Sequence, residues 1–242
     1  AWRRALGGAS PAPGGGAEPL RAAIPQALGM PAGEAAAGEP WGFCYLNLRR
    51  QFAPGAVDWC PQDVPRLWRY NLHYCDWLHD PWRSPEEKRE LLDDWIARNP
   101  PGSEPAWEPY TASLRICNWI AFFQREFGEA PPPARWLDSL FMQAGWLARN
   151  LELHILANHL FENYKALAFA GAFFDGPRAA GWRRTAERGL MRELREQFLP
   201  DGAHYERAPM YHVLLLVGVL ALIQCGRRLP GGLSAALCQR LE

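Results

Sequence analysis

Several signals are missing from these 242 residues, and each absence removes a class of protein. Net charge is zero, with 26 Lys and Arg against 26 Asp and Glu. A domain that grips a phosphate backbone is normally strongly basic, so no nucleic-acid partner is expected. None of the six cysteines (Cys44, Cys60, Cys75, Cys117, Cys225, Cys238) falls in a CxxC pair. That argues against a zinc framework or a dense disulfide scaffold and leaves buried free thiols as the expectation, with a single disulfide still open. The longest apolar run, Val213 to Ile223, is too short to span a bilayer. No P-loop, HExxH or GxSxG string occurs. His154 and His159 are five apart, the wrong spacing for two ligands on one helical face. No metal site is therefore expected. The chain opens on Ala1 without a visible signal peptide, and an earlier segment of the natural protein is expected.

What is abundant is aromatic and apolar. Nearly half the chain is hydrophobic and 12 residues are Trp. Most of the Trp is expected in a core; some, with flat faces suited to sugar rings, would line a cleft. Residues 1–40 are rich in Gly, Ala and Pro and read as an irregular arm. From Trp41 to the end the pattern is helical, and WGFCYLNLRRQF reads as a short strand or arm against it. Residues 66–80 read as one helix. Ser84, Pro85 and Glu87 form an N-cap, first-turn proline and capping box for the next. Pro- and Gly-rich turns then separate further helices, about seven in all, with no convincing alternating strands. Helices of similar length in pairs predict an all-α solenoid or toroid of helical hairpins over residues 41–242.

Three polar clusters stand out against this apolar background. In the helix expected from about 154 to 174, Asn158, His159 and Glu162 share an arc of roughly 100°, with Lys165 beside them. Leu156, Leu160, Tyr164 and Leu167 form its apolar side. A helix apolar almost all round is buried, and buried polar groups need partners or a cavity. The second cluster, DGAHYERAPMYH, holds His204, Glu206, Tyr211 and His212. Tyr211 falls in the first turn of a helix, where the dipole favours a phenolate. The third is Arg115, three residues before Asn118 and followed by Trp119. Arg115 would fork onto a carboxylate, of a ligand or of the protein.

Four strings, LWRYNLHYCDWL (67–78), YTASLRICNW (110–119), NHLFENYKAL (158–167) and DGAHYERAPMYH (201–212), occur in the order found in heparinase II/III-like polysaccharide lyases. From Trp41 to Leu229 the chain resembles that family. Cys75 stands where an aromatic is usual, and Ala208 where a Ser is usual. The resemblance implies an incomplete (α/α) toroid, followed in the family by an antiparallel β-sandwich that this chain would end before. It implies β-elimination on an acidic, uronate-containing polysaccharide, with no cofactor required for the chemistry. It assigns catalysis to Asn158, His159, Glu162 and Tyr211. Glu162 or His159 would be protonated to neutralise the uronate carboxylate, with Asn158 contacting it. Arg115, Trp119, His204, Glu206 and His212 would line or support the substrate cleft. A periplasmic or secreted location follows from the same resemblance. A glycoside hydrolase on a helical scaffold, using Glu162, Asp201 and Glu206, and a non-catalytic carbohydrate-binding fragment are the alternatives.

Overall fold

A computed structural model describes residues 40–128, 130–228 and 232–241. The expected arm at residues 1–40 lies outside this range but for Pro40. The fold is all-α apart from one hairpin. That hairpin, β1 (Gly42–Tyr45) and β2 (Leu48–Gln51), forms within the segment expected as a short strand or arm. It is antiparallel, pairing Gly42 with Gln51 and Tyr45 with Leu48. Leu46 and Asn47 between them both have positive φ, 54° and 60°, as a two-residue hairpin turn requires. Trp41, Phe43 and Tyr45 are buried. Arg83, inside the fold, donates to Asp80, Glu87 and the Gly42 carbonyl and so ties the hairpin down.

Eight α-helices follow among the described residues, where the pattern predicts about seven: α1 (Arg66–Tyr74), α2 (Pro85–Arg98), α3 (Pro109–Phe127), α4 (Ala134–Leu147), α5 (Ala157–Phe173), α6 (Pro177–Gln197), α7 (Pro209–Arg228) and α8 (Ala235–Leu241). The single helix expected over 66–80 is broken. Cys75 takes the left-handed conformation at φ 58° and a 3-10 turn, Asp76–His79, follows. At the start of α2, Ser84 Oγ accepts the Glu87 N–H at 3.1 Å and Pro85 occupies the first turn, as the sequence predicts.

Odd helices pack on odd: α1 on α3, α3 on α5, α5 on α7. Even helices back them, with α2 on α4 and α8 on α6. Two curved layers result, an arc of helical hairpins. Within the α5–α6 hairpin the two helices run antiparallel, since Gln197 at the end of α6 donates to the Ala157 carbonyl at the start of α5. The odd helices run parallel. Tyr110 meets His159, both in first turns, and Ser113 meets Asn163 one turn further on. The N-termini of α3, α5 and α7 therefore open on one rim.

α5 is the hub, in contact with α3, α4, α6 and α7. Every residue from Leu160 to Phe173 is buried, which explains an apolar pattern with no clear face. Two glycines allow the close approach. A Cβ at Gly189 on α6 would lie 2.4 Å from the Tyr164 ring, and one at Gly218 on α7 would lie 2.6 Å from Phe161. Leu156, expected on the apolar side, is exposed, because the helix begins only at Ala157. α7 is long and apolar enough, by length and composition alone, to cross a membrane. Here it packs on α5 and α8 and leaves Met210, Val213 and Leu216 exposed. All six cysteines are free thiols, though only Cys75 and Cys225 are buried.

Candidate active site

The rim where α3 and α5 begin carries the densest polar cluster. Leu156 and Ala157 enter α5 with positive φ, 64° and 50°, an unfavourable conformation for residues with a side chain. This sharp entry presents Asn158 and His159 at the open end of a helix that has no side-chain cap, so its first N–H groups and dipole face the same side. Both side chains are half-buried. The Tyr110 ring lies over the His159 imidazole, centroids 4.3 Å apart and planes at 35°. The Tyr110 hydroxyl is within hydrogen-bonding reach of Asn158. Burial, with the nearby Glu162 carboxylate, raises the Tyr110 pKa and keeps it a neutral phenol, a donor.

His159 Nδ1 lies 3.0 Å from Glu152 Oε1. Glu152 is buried in the turn before α5 and is held in turn by Asn163, buried inside α5. These contacts bring in Tyr110, Glu152 and Asn163, none of which the sequence singled out. Glu152 escapes sequence reading because the turn at 153–156, placed inside the helix by the pattern, folds the chain back on itself. Asn163 was findable: a wholly buried amide in an apolar helix obeys the same rule that flagged Asn158.

Glu162 has a partner that the sequence did not foresee: it is half of a buried ion pair, 2.6 Å from Lys165 Nζ. Burial alone would lower the Lys165 pKa, but the Glu162 carboxylate outweighs it and the pKa is raised, so the ammonium stays charged. The side chains of the pair are 8% and 9% exposed.

Tyr211 sits half-buried in the first turn of α7. Gly218, seven residues on and on the same stripe of that helix, lies against Phe161 and Glu162. Two turns of helix span about 10 Å, which puts Tyr211 level with the start of α5. The loop before it is anchored there too. His204 Nε2 lies 3.2 Å from Gln197 Oε1, and Gln197 Nε2 reaches the Ala157 carbonyl at 2.9 Å. The His204 N–H donates to His212 Nδ1 at 3.3 Å, and the His204 and Tyr211 rings are 6.4 Å apart. Glu206 is exposed and His212 half-buried.

Three residues expected to line or support the cleft are inside the protein. His204 is 1% exposed and braces its loop; burial pushes its pKa down. Arg115 and Trp119 are 0% exposed. Arg115 donates to Gln143, to the carbonyls of His73 and Ala106, and lies 4.3 Å over the Trp95 ring. It faces no carboxylate, and burial lowers its pKa to about 10. Both are core struts, because α3 is covered by α1, α4 and α5 on the sides they occupy.

The sequence profile described as Heparinase II/III N-terminus matches residues 48–232, and the chain belongs to this family. A heparin-sulfate lyase of Pedobacter heparinus is 33% identical over 135 residues, covering 50% of this chain and 19% of that protein. A heparin-sulfate lyase of Bacteroides stercoris is 26% identical over 168 residues, covering 65% and 23%. Among solved structures, that of the heparan sulfate lyase HepC from Pedobacter heparinus superposes with a TM-score of 0.63 at 23% identity, over 84% of this chain and 35% of that one. A crystal structure of heparinase III gives 0.58 at 22%, over 78% and 32%. The chain thus spans about a fifth to a third of these relatives, and the shared fold is the helical toroid part.

Proposed function

We propose that this chain is the helical, catalytic-side part of a polysaccharide lyase that cleaves a uronate-containing polymer by β-elimination. The observation that carries the reading is the meeting of Asn158, His159 and Tyr110 on one rim, with Tyr211 level with them. An amide, an imidazole, a neutral phenol and a second tyrosine suit proton removal beside a carboxylate. The proton to be lost is on the carbon that bears the carboxylate, whose negative charge opposes carbanion formation. Asn158 and the uncapped N-terminus of α5 would hydrogen-bond that carboxylate and stabilise the enolate-like intermediate. Lys165, charged and about two helical turns deeper, adds positive potential that Glu162 partly offsets. His159 or Tyr211 takes the proton, and Tyr211 gives one to the departing glycosidic oxygen. No metal or organic cofactor takes part in these steps.

Heparan sulfate is the first substrate to test, since the relatives are named as heparin-sulfate or heparan sulfate lyases; alginate and acidic exopolysaccharides follow. A polymer of this size is met outside the cytoplasm, and we assign the protein to the periplasm or the exterior. The test is growth of the ultraviolet band of an unsaturated uronate on that panel of polymers. Saturated products would favour a hydrolase, and binding without cleavage a carbohydrate-binding role.

A further inference from the structure

His159 is held on two sides. Tyr110 covers one face of the ring, and Glu152 Oε1 takes Nδ1 at 3.0 Å. An ionised carboxylate only accepts hydrogen bonds, so Nδ1 carries the hydrogen and Nε2 the lone pair. Glu152 cannot turn away. Its Oε2 accepts from Asn163 Nδ2 at 2.9 Å, and its backbone N–H donates to Asn163 Oδ1 at 2.9 Å. Asn163 Nδ2 also donates to Ser113 Oγ at 3.1 Å, which donates to the Pro109 carbonyl at 2.8 Å. An unbroken run of bonds leads from the imidazole into α5 and α3. A half-exposed histidine needs no such frame for stability; one that must present a single nitrogen in a single direction does.

We propose that Glu152 is the positioning residue for His159, fixing Nε2 as the nitrogen that accepts the substrate proton. This rests on the lyase reading above and settles its choice of base on His159. The proton on the carbon beside the carboxylate passes to Nε2. The electron pair left behind forms the carbon–carbon double bond as the bond to the glycosidic oxygen breaks, and that oxygen takes its proton from Tyr211. The imidazolium so formed lies against the Glu152 carboxylate and is stabilised by it; between turnovers it gives its proton to water and the Tyr211 phenolate takes one back from water, which restores both groups.

The test is nitrogen NMR of the whole chain with labelled histidine, at a pH where the ring is neutral, the His159 signals being assigned by their loss in His159→Ala. The expected result is a hydrogen on Nδ1 and an acceptor-type Nε2. Glu152→Ala should shift the ring toward the Nε2–H form, and Glu152→Gln, which keeps an acceptor oxygen, should hold it. A wild-type His159 protonated on Nε2 overturns the proposal even where Glu152→Ala fails to fold. In a form that produces the unsaturated uronate, Glu152→Gln should lower kcat at least ~10-fold with little change in KM. An unchanged kcat overturns the role. Absence of any unsaturated product counts against the lyase reading, while the tautomer still decides the positioning of His159.

Discussion

Replacing Lys165 by Met would leave the Glu162 carboxylate alone in the interior, and the structure sets the size of the effect. The two charges are 2.6 Å apart and under a tenth exposed. At an effective dielectric of about 20 their attraction is about 6 kcal/mol, set against a desolvation cost of several kcal/mol per ion. The pair by itself is therefore close to neutral for stability, but removing one partner is not: the loss should be about 3–5 kcal/mol. For a chain of this size that is a fall in melting temperature of roughly 10 °C. Urea unfolding followed by tryptophan fluorescence measures it. Glu162→Gln combined with Lys165→Met should recover part of the loss, with a coupling of up to about 3 kcal/mol. The pH dependence has a definite sign. Lys165 has its folded pKa raised above the ordinary 10.5. Its contribution is thus whole below that value and fades as pH climbs through the folded pKa, so wild type and Lys165→Met converge only in strong alkali. A Lys165→Met protein within about 0.5 kcal/mol of wild type, or single and double variants that simply add, would refute the buried pair.

Tyr211→Phe should fold normally and abolish elimination in the uronate assay; full activity would remove Tyr211 from the chemistry. Arg115→Lys should lose a fork of three hydrogen bonds and of order 3 kcal/mol in urea unfolding, without raising KM, since the guanidinium is sealed from substrate. Gly189→Ala should destabilise by about 1–3 kcal/mol despite the better helix propensity of Ala, because the new methyl meets the Tyr164 ring at 2.4 Å; thermal unfolding decides it. His73 is buried neutral, its pKa pushed down to about 3 by burial and by Arg115. It therefore makes stability fall as pH drops from about 6.5 toward 3, by up to about 1.4 kcal/mol per pH unit, and His73→Gln should remove that part of the slope.

The helical hairpins were legible because turn residues and apolar periods are local signals. Ser84 capping α2 ahead of Pro85, and Pro209 opening α7, read correctly for that reason, whereas the Glu87 side chain, expected to close a capping box, turns to Trp41 and Arg83. The break at Cys75 did not: a left-handed cysteine, wholly buried between α1 and the 3-10 turn, answers to its tertiary surroundings, which no window of sequence displays. Asn158, His159 and Tyr211 were visible as polar residues where apolar ones belong. Arg115 was visible by the same signal, which does not separate a strut from a ligand group, and Trp119, apolar itself, carried no signal that told core from cleft. Lys165 was seen on the face but its pairing with Glu162 was not, because charge separation three residues apart reads the same on a wet face as in a dry interior.

Glu152, His159 and Asn163 fall within twelve consecutive residues, and their mutual bonds close a very short loop. Short loops close at little entropic cost and early in folding, whereas the approach of α7 to α5 spans about fifty residues and comes later. The imidazole can thus acquire its orientation from its own neighbourhood before α7, which brings Tyr211, has docked. One half of the site is written into a peptide, the other into the assembled arc, and changes in the arc that reshape the cleft for a different polymer need not disturb the aim of His159.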